Sequence, residues 1–344
     1  MPQVRAKFPQ LMQPGLRKIY FDSLDNALKS STYPSIFNEE NSTREYEQDL
    51  EMAGISALQE KPEDASTAYT EMKQGGSKRF YPITYSLGLR TSKELWDDDQ
   101  YGLVKKGPTL LSRSAAFTQE MVAWNVFNQG FTSAVTVFDG NPLFYNQHAL
   151  LGGAAATALA PGAAGVISLA GTWPNRPSTD IDFSVAGLQL ATNHSARMID
   201  NMGFPIRLRW ENLITPPELR FLVREILGSP GKPYTSDNTI NSLIPEDYKN
   251  LEVPWLNSPS AWFLVAAKAD HSLKYISREK PSTDFDDDFD TDAIKQKTRC
   301  RMTSGAARWQ GVWGSQGPVF LASALAGAGT VLSLLHSLFN SVMG

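Results

Sequence analysis

The chain of 344 residues has the composition of a globular protein and a nearly balanced charge. Hydrophobic residues make up 42% and charged residues 20%, with a formal net charge of −4. This is enough apolar material for one large domain or two smaller ones. The charge balance excludes a strongly basic nucleic-acid coat, although a local basic patch is compatible with it. The single cysteine, Cys300, excludes a disulfide framework and a cysteine-based metal cluster.

Residues 1–64 are predicted to form an arm. The first twenty carry four basic side chains and no acidic one, and prolines at 2, 9 and 14 disfavour a long helix. The basic residues are Arg5, Lys7, Arg17 and Lys18. Residues 38–64 are polar and acidic, with a weak helical pattern, and cannot bury much apolar surface alone, so we expect contacts with another chain to order them. We expect no secretion, because the N-terminal region contains no apolar run of signal-peptide length.

A long β-hairpin is predicted over about residues 66–100. Gly75 and Gly76 indicate a turn, and the alternation that follows is cleanest from 83 to 89. This strand is mixed in polarity, which argues against burial on both faces. Because an isolated hairpin is marginally stable, we expect it to need a neighbouring surface.

The clearest helix is predicted from Pro108 to about Asn128. Proline is favourable in a first helical turn, and apolar residues then recur at intervals of three and four. The stripe consists of Leu110, Phe117, Met121 and Trp124, widened by Leu111, Ala115 and Val122. An amphipathic helix of this length, about 30 Å, is expected to support a domain.

The middle of the chain is predicted to alternate loops with shorter elements. Residues 131–177 include FDGNPLF and the low-complexity segment GGAAATALAPGAAG, which indicates a surface loop. A second helix is predicted from about Thr179 to Met202, with an acidic start and a glycine after its end. FPIRLRW then alternates as a strand, and TPPELRFLVREILGS indicates a short helix.

The last third is predicted to be strand-rich, with strands at WFLVAAK, LKYIS and IKQKTRCRM. Alternation places four basic side chains of the last strand on one face: Lys295, Lys297, Arg299 and Arg301. A dense carboxylate cluster precedes that strand: Asp284, Asp286, Asp287, Asp288, Asp290 and Asp292. Opposite charges on adjacent pieces of the chain indicate pairing within or between subunits.

Both charged features admit a second interpretation. The basic face could bind nucleic-acid phosphates, but it lacks interleaved stacking aromatics, and carboxylates of a neighbour are the favoured partners. The acidic cluster could hold a cation such as Ca²⁺. It lacks the loop glycine and the distal glutamate of a helix-loop-helix calcium site, which favours a solvated loop or a salt-bridge partner.

No constellation of residues indicates catalysis. The four histidines, at 148, 194, 271 and 336, show no paired metal-binding spacing, and no G-x-S-x-G motif occurs. Gly102 and Gly107 have the spacing of a phosphate loop, but Pro108 occupies the position of the required lysine. His148 and His194 are expected to be structural, with a metal or acid–base role for His148 as the alternative. We predict no catalytic residue, cofactor or metal.

The C-terminal tail, residues 318–344, has no formal charge and is about long enough to span a bilayer. Interior polar residues and the absence of flanking basic residues argue against a membrane span. A buried or subunit-packing helix is favoured over a membrane-active tail and over a disordered or non-native extension.

Several segments in order resemble the major capsid proteins of tailed bacteriophages with the HK97-type fold, nearest to the Mu-like major head subunits. They are RFYPITYSLGLRTSKELWDDDQYG, PTLLSRSAAFTQEMVAWNVFNQGF, FDGNPLFYNQHA, LRWENLITPPELRFLVREIL, SPSAWFLVAAKADHSLKYISRE and DAIKQKTRCRMTSGAARWQGVWGSQG. Together they cover roughly residues 65–317.

The resemblance implies an α+β fold with named parts. These are an N-terminal arm (1–64), an extended hairpin loop (65–104), a peripheral domain with a spine helix and β-sheet (105–138 and 258–317), an axial domain (139–257) and the apolar tail (318–344). The arm would face the shell interior or neighbouring subunits. The extended loop would lie over an adjacent subunit, and the charged strand residues would contact other copies.

The resemblance also implies a function. The chain would assemble as pentamers and hexamers into an icosahedral shell around double-stranded DNA, without catalysis. Separate scaffold and portal proteins, and decoration proteins in some cases, would be its partners, in the host cytoplasm during assembly and then in the virion. The alternatives are a cellular nanocompartment shell with an enzyme cargo and a hydrolase with an unrecognised site.

Overall fold

The computed structural model describes most of the chain. The described residues are 9–52, 74–98, 102–150, 172–200, 204–229, 246–287 and 293–317, a few positions between 58 and 72, and residues 231, 241 and 243. They form a mixed helix and strand fold with two four-stranded sheets.

The helices are α1 (Pro9–Leu28), α2 (Tyr33–Ile36), α3 (Lys93–Asp97), α4 (Leu103–Asn128), α5 (Val185–Ala196) and α6 (Arg220–Gly228). The strands are β1 (Asn38–Asn41), β2 (Glu47–Met52), β3 (Gln74–Phe80), β4 (Ile83–Thr91), β5 (His148–Ala149), β6 (Thr172–Trp173), β7 (Trp210–Thr215), β8 (Lys249–Glu252), β9 (Trp262–Ala266), β10 (Leu273–Asp287), β11 (Ile294–Ala306) and β12 (Val312–Ser315).

The first sheet has the strand order β1-β10-β11-β4 and carries helices on one face. Strand β11 pairs antiparallel with β10 on one side and with β4 on the other. Its alternate residues Gln296, Thr298, Cys300 and Met302 are buried. The predicted alternation of this strand is therefore confirmed. The acidic segment before it, predicted as separate from the strand LKYIS, belongs to β10 as far as Asp287.

The second sheet has the order β12-β9-β7-β8 and lies inside the main core. All five residues of β9 are buried, as its continuous apolar sequence indicates. Five tryptophans are among the largest fully buried side chains: Trp124, Trp173, Trp210, Trp262 and Trp313. This core joins α4 to α5 and to the second sheet, so segments from the predicted peripheral and axial domains share one apolar interior.

The N-terminal segment packs against its own chain. Helix α1 runs for 20 residues with Pro14 inside it, so the expectation that prolines prevent a long helix is wrong. Its buried residues Tyr20 and Leu24 pack on α4, and the Tyr20 hydroxyl lies 2.5 Å from Thr298 Oγ1. Directly after α2, Phe37 is fully buried in the main core.

The hairpin has a different pairing from the one predicted. Strand β3 pairs with β2, and β4 pairs with β11, so the strand predicted at 83–89 has its partner outside the predicted hairpin; several residues before Gly75, which the prediction paired with it, lie outside the described ones. Gly75 and Gly76 lie within β3 and form no turn. A Cβ atom at Gly76 would lie 2.1 Å from the Phe138 carbonyl oxygen, so glycine permits a close backbone approach at this point. The weak helical pattern of 38–64 is also wrong where β1 and β2 form.

The two long helices have different bounds from those predicted. Helix α4 begins five residues before Pro108, after Gly102, whose φ of 66° only glycine adopts easily. Helix α5 is shorter than predicted and begins at Val185. The Ser184 hydroxyl accepts a hydrogen bond from the Gly187 amide (3.1 Å) and caps it.

The segment FPIRLRW is a strand only at its last residue. Pro205 forms an isolated bridge with Ile199, and β7 begins at Trp210. Proline has no amide proton for a ladder, and the Leu208 amide instead bonds to the Ile206 carbonyl (2.9 Å). The predicted short helix TPPELRFLVREILGS is present as a 3-10 turn (Pro217–Leu219) followed by α6.

Candidate subunit interface

The β2–β3 hairpin is fixed to the body of the chain at its base. Phe80 packs with Ile276, Ala307 and Phe138 in a small core. The Lys274 ammonium lies 2.9 Å from Asp49 Oδ2 and 3.0 Å from Glu40 Oε1. Burial acts to lower the pKa of Lys274, but the carboxylates of Asp49 and Glu40 raise it above its ordinary value. A charged clamp thus holds the hairpin on β10.

A second clamp holds the other strand of the hairpin. The Lys78 ammonium donates to Thr136 Oγ1 at 2.8 Å, and burial lowers the pKa of this lysine. On the outer side, Arg79 Nε donates to Gln48 Oε1 (2.9 Å), and its guanidinium lies 4.9 Å from the Tyr46 ring centre. These contacts order the base of the hairpin within a single chain.

The outward face of the hairpin carries two exposed apolar side chains of β2 among polar neighbours. Along β2, inward and outward residues alternate, and Leu50 and Met52 point outward with 55% and 62% of their surfaces exposed. Further along the loop, Leu58 and Tyr69 are almost fully exposed. An apolar row on an ordered projection is typical of a protein-binding surface. Leu50 and Met52 were not predicted as interface residues, although the alternation of EQDLEM is a usable signal.

A second apolar surface lies on α4 and β4. In α4, the residues predicted to form one apolar stripe divide between two environments. Trp124 is fully buried, whereas Leu110, Phe117 and Met121 are more than half exposed. The opposite side of the helix, including Leu111 and the alanines at 115, 116 and 123, faces the interior. The described chain leaves uncovered most of the stripe that the sequence marks as apolar.

The four basic residues of β11 share one face, as predicted, and point away from the helices. On the same face, Asp284 is directly opposite Lys297, and Asp286 is directly opposite Lys295. Arg299 Nε lies 3.6 Å from Glu279 Oε2. Cross-strand pairs of opposite charge stabilise a sheet modestly. The register therefore brings the predicted basic and acidic groups together in one chain, which favours carboxylates over phosphates as their partners.

Other predicted interface residues fall in different places. Arg17 and Lys18 are exposed on α1. Arg301 is only partly exposed, and its Nε has no hydrogen-bond partner among the described residues. Asp287 ends β10. Arg5, Lys7 and Asp288 lie outside the described residues.

His148 is fully engaged in a buried network. Its Nδ1 lies 2.8 Å from Asp139 Oδ2, its Nε2 lies 3.1 Å from Asn175 Oδ1, and its ring stacks on Trp309 at 4.9 Å. Burial acts to raise the pKa of Asp139, but the hydrogen bond from His148 lowers it below its ordinary value. A histidine with no exposed surface and both nitrogens occupied favours the structural interpretation.

The remaining candidate groups also lack the surroundings of an active site. Burial lowers the pKa of His194 to about 4, and its ring packs against Trp173 at 5.3 Å. Burial, with a smaller contribution from Glu279, raises the pKa of Cys300 to about 11, which makes this thiol unreactive. Within the described ranges, no group of three or more His, Cys, Asp or Glu residues could hold a metal ion.

No helix in the described part of the chain is long and apolar enough to cross a membrane. The tail 318–344 lies outside that part.

Comparison with known proteins links this geometry to a family. A family model described as phage capsid protein matches residues 77–315, more than half of the chain. This range contains the last four residues of β3, β4, α4, both four-stranded sheets except β1, and the charged strand face. No curated protein matches the chain.

Solved structures share the fold at low sequence identity. A structure from Mycobacterium phage Adephagia has a TM-score of 0.50 and 11% identity, covering 84% of this chain and 90% of that chain. One from Microbacterium phage Oxtober96 has a TM-score of 0.50 and 10% identity, covering 80% and 85%. The capsid of bacteriophage JBD30, decorated with minor capsid protein trimers, has a TM-score of 0.50 and 15% identity, covering 66% and 91%.

Proposed function

Because the chain belongs to the phage capsid protein family, it is a structural subunit of an icosahedral capsid, and we propose that its β2–β3 hairpin makes the principal contacts with neighbouring copies. The HK97-type fold predicted from the sequence is confirmed. The nearer relation to Mu-like major head subunits stays a prediction.

The observation that carries this proposal is the contrast between the two faces of the hairpin. The inward face is held on the body of the chain by hydrogen bonds from Lys274 of β10 to Asp49 and from Lys78 of β3 to Thr136. The outward face presents Leu50 and Met52 to solvent. A rigid base reduces the entropy lost on association, and the exposed apolar row supplies the hydrophobic contribution. The hairpin is thus prepared to lie over an adjacent subunit.

The charged face of the first sheet is proposed as a secondary contact. Lys295, Lys297, Arg299 and Arg301 would meet carboxylates of another copy, including members of the Asp284–Asp288 cluster. The intrachain pairs of this face are solvent-accessible, and exposed ion pairs contribute little to stability. They can therefore exchange partners between subunits at small cost, which makes them suited to fixing the orientation of neighbours.

The remaining partners follow from the same capsid role. Copies would assemble as pentamers and hexamers and enclose double-stranded DNA, which the basic arm residues Arg5, Lys7, Arg17 and Lys18 would contact without sequence preference. Separate scaffold and portal proteins, and decoration proteins in some cases, would take part. Assembly would occur in the host cytoplasm and yield the virion, with no catalytic step. The buried arrangement of His148, His194 and Cys300 supports a purely structural role.

Electron microscopy of the purified full chain tests the proposal. We expect uniform closed particles when the protein is concentrated under assembly conditions, in the presence of a scaffold where one is required. Particles that contain double-stranded DNA after expression with the phage packaging proteins would support the genome-enclosing role. A cargo enzyme in their place would indicate a nanocompartment. A small monodisperse species under every assembly condition would contradict the proposal.

A further inference from the structure

An apolar groove formed by β4 and α4 is uncovered in the described chain. We define it by Ile83, Leu87 and Leu89 of β4 and by Leu110, Phe117 and Met121 of α4, which are between 38% and 59% exposed. The β4 residues are opposite Met302, Thr298 and Gln296 of β11, on the helix-bearing side of the sheet. Leu89 Cδ1 would lie 3.4 Å from a Cβ atom at Gly107 of α4, so the two rows adjoin.

The described chain ends close to this groove. The carbonyl of Gln316 accepts hydrogen bonds from Ser260 Oγ (3.0 Å) and Ser258 Oγ (3.3 Å). Trp255, three residues before Ser258, places its ring 5.7 Å from the Phe117 ring. Gly317, the last described residue, therefore lies within a short distance of Phe117.

The sequence that follows has the apolar pattern that such a groove binds. In residues 330–343, Val331, Leu335, Leu338 and Val342 recur at intervals of three and four, the spacing of helices that dock into apolar grooves. The polar residues of the segment fall on the other side of the same helical projection: Thr330, Ser333, His336, Ser337, Asn340 and Ser341. The segment has no Asp, Glu, Lys or Arg, so its burial would carry no charge desolvation cost.

The lengths of the connecting segment and of the groove are compatible. Residues 318–329 could span at most about 40 Å when fully extended. Along α4, the groove extends from Leu110 to Met121, about 17 Å at 1.5 Å per residue. Thirteen residues with helical periodicity would cover roughly 20 Å. The segment can therefore reach the whole groove on its own chain.

We propose that residues 331–343 occupy the apolar groove of their own chain, with Val331, Leu335, Leu338 and Val342 against Phe117, Leu110 and β4. This proposal does not depend on assembly, because both partners belong to one subunit. A membrane surface fits less well, since an interfacial helix that binds anionic lipid normally carries basic residues on its polar face.

Site-specific photo-crosslinking in the full chain tests the proposal. The variant Phe117→p-benzoylphenylalanine is irradiated as unassembled subunits, in an equal mixture of unlabelled and 15N-labelled protein, and the crosslinked peptides are identified by mass spectrometry. The matched control carries the same photoreactive residue at Phe221, which is 72% exposed on α6 and lies outside the groove.

We expect crosslinks from position 117 to residues 331–343, within one isotope label, and none to that segment from position 221. Adding Leu335→Asp should reduce the yield at least about tenfold, because burial of a carboxylate in an apolar site costs more than about 1.4 kcal/mol. Ser337→Asp adds the same charge on the polar side and should leave the yield unchanged.

Three results would overturn the proposal. Crosslinks from position 117 to the β2–β3 hairpin would assign the groove to a neighbouring subunit. Tail crosslinks that combine both isotope labels would place the segment on another copy. Equal effects of Leu335→Asp and Ser337→Asp, or the absence of tail crosslinks, would show that the groove does not bind this segment.

Discussion

The N-terminal segment α1–α2 and the β2–β3 hairpin both come from parts of the chain that were predicted to extend onto neighbouring subunits, but they differ in what stabilises them. The first is held by its own chain, since Tyr20 packs on α4 and Phe37 enters the main core. The second has an anchored inner face and an exposed apolar outer face. Low local apolar content therefore shows that a partner is needed, but not whether the partner lies in the same chain.

The largest effect on stability is expected at Phe37. This side chain is fully buried, and its ring lies 5.9 Å from Trp124 and 6.0 Å from Phe127. We expect Phe37→Ala to lower the free energy of unfolding of unassembled subunits by about 3–5 kcal/mol, because the change leaves a large cavity. Urea denaturation measures this value. A change under about 1 kcal/mol would mean that the N-terminal segment is not docked in the isolated chain.

A smaller loss of stability is expected at Glu120, which helps to hold the N-terminal segment on α4. Its carboxylate accepts hydrogen bonds from the Thr32 amide (2.6 Å) and from Trp124 Nε1 (2.7 Å). We expect Glu120→Ala to cost about 1–3 kcal/mol, because the Thr32 amide loses its acceptor and Trp124 Nε1 keeps only Thr32 Oγ1. The control, Glu120→Gln, keeps an acceptor oxygen and should cost less in the same denaturation experiment. Equal losses would indicate that packing, rather than hydrogen bonding, fixes α2 on α4.

Much of the first sheet could be predicted from the sequence, because β11 has a strict alternation of charged and buried residues. The strands that pair with β11 could not be predicted. Strand pairing brings together residues far apart in the chain, and Gly75–Gly76 indicated a turn where they permit close contact with Phe138. Local patterns define a strand but contain no information on which distant strand completes it.

The candidate interface was less predictable than the fold. Helix α4 has apolar residues around more than half of its circumference, so the sequence could not distinguish the side facing its own core from the side carrying Leu110, Phe117 and Met121. Leu50 and Met52 were overlooked because the surrounding segment is acidic. The basic face of β11 was predicted correctly, but its intrachain carboxylate partners depended on the register with β10.

The free energy of unfolding is expected to depend on pH through the network of Asp139, His148 and Asn175, which fixes the loop after α4. The folded-state pKa of Asp139 is depressed, so its ionised form stabilises the fold above the unfolded value of about 3.9. This contribution is lost as the pH falls from about 5 through the folded-state pKa. We expect Asp139→Asn to lower stability at pH 6 and to reduce the dependence of unfolding free energy on pH between 5 and 3. An unchanged dependence would show that another carboxylate dominates this range.

The charged sheet face offers a test of pairing within or between subunits. Asp284→Lys places two lysines opposite each other and is expected to cost about 0.2–1 kcal/mol in unassembled subunits. Adding Lys297→Asp restores the opposite charges and should recover that loss. If the double variant regains stability but still assembles poorly, these residues contact another copy. If the double variant recovers both stability and assembly, Asp284 and Lys297 pair within one chain only.

The smallest effect on stability and the largest on assembly are expected at Leu50. Leu50→Glu changes an exposed residue, so the unfolding free energy of unassembled subunits should stay within about 0.5 kcal/mol of the parent value. Gln48→Glu is the matched control, because it adds the same charge to the same face two residues away.

Sedimentation velocity of these two variants under assembly conditions tests most directly whether the outward face of the hairpin joins the subunits. We expect Leu50→Glu to remain as unassembled subunits, and we expect Gln48→Glu to form closed particles like the parent chain. Normal particle formation by Leu50→Glu would contradict it.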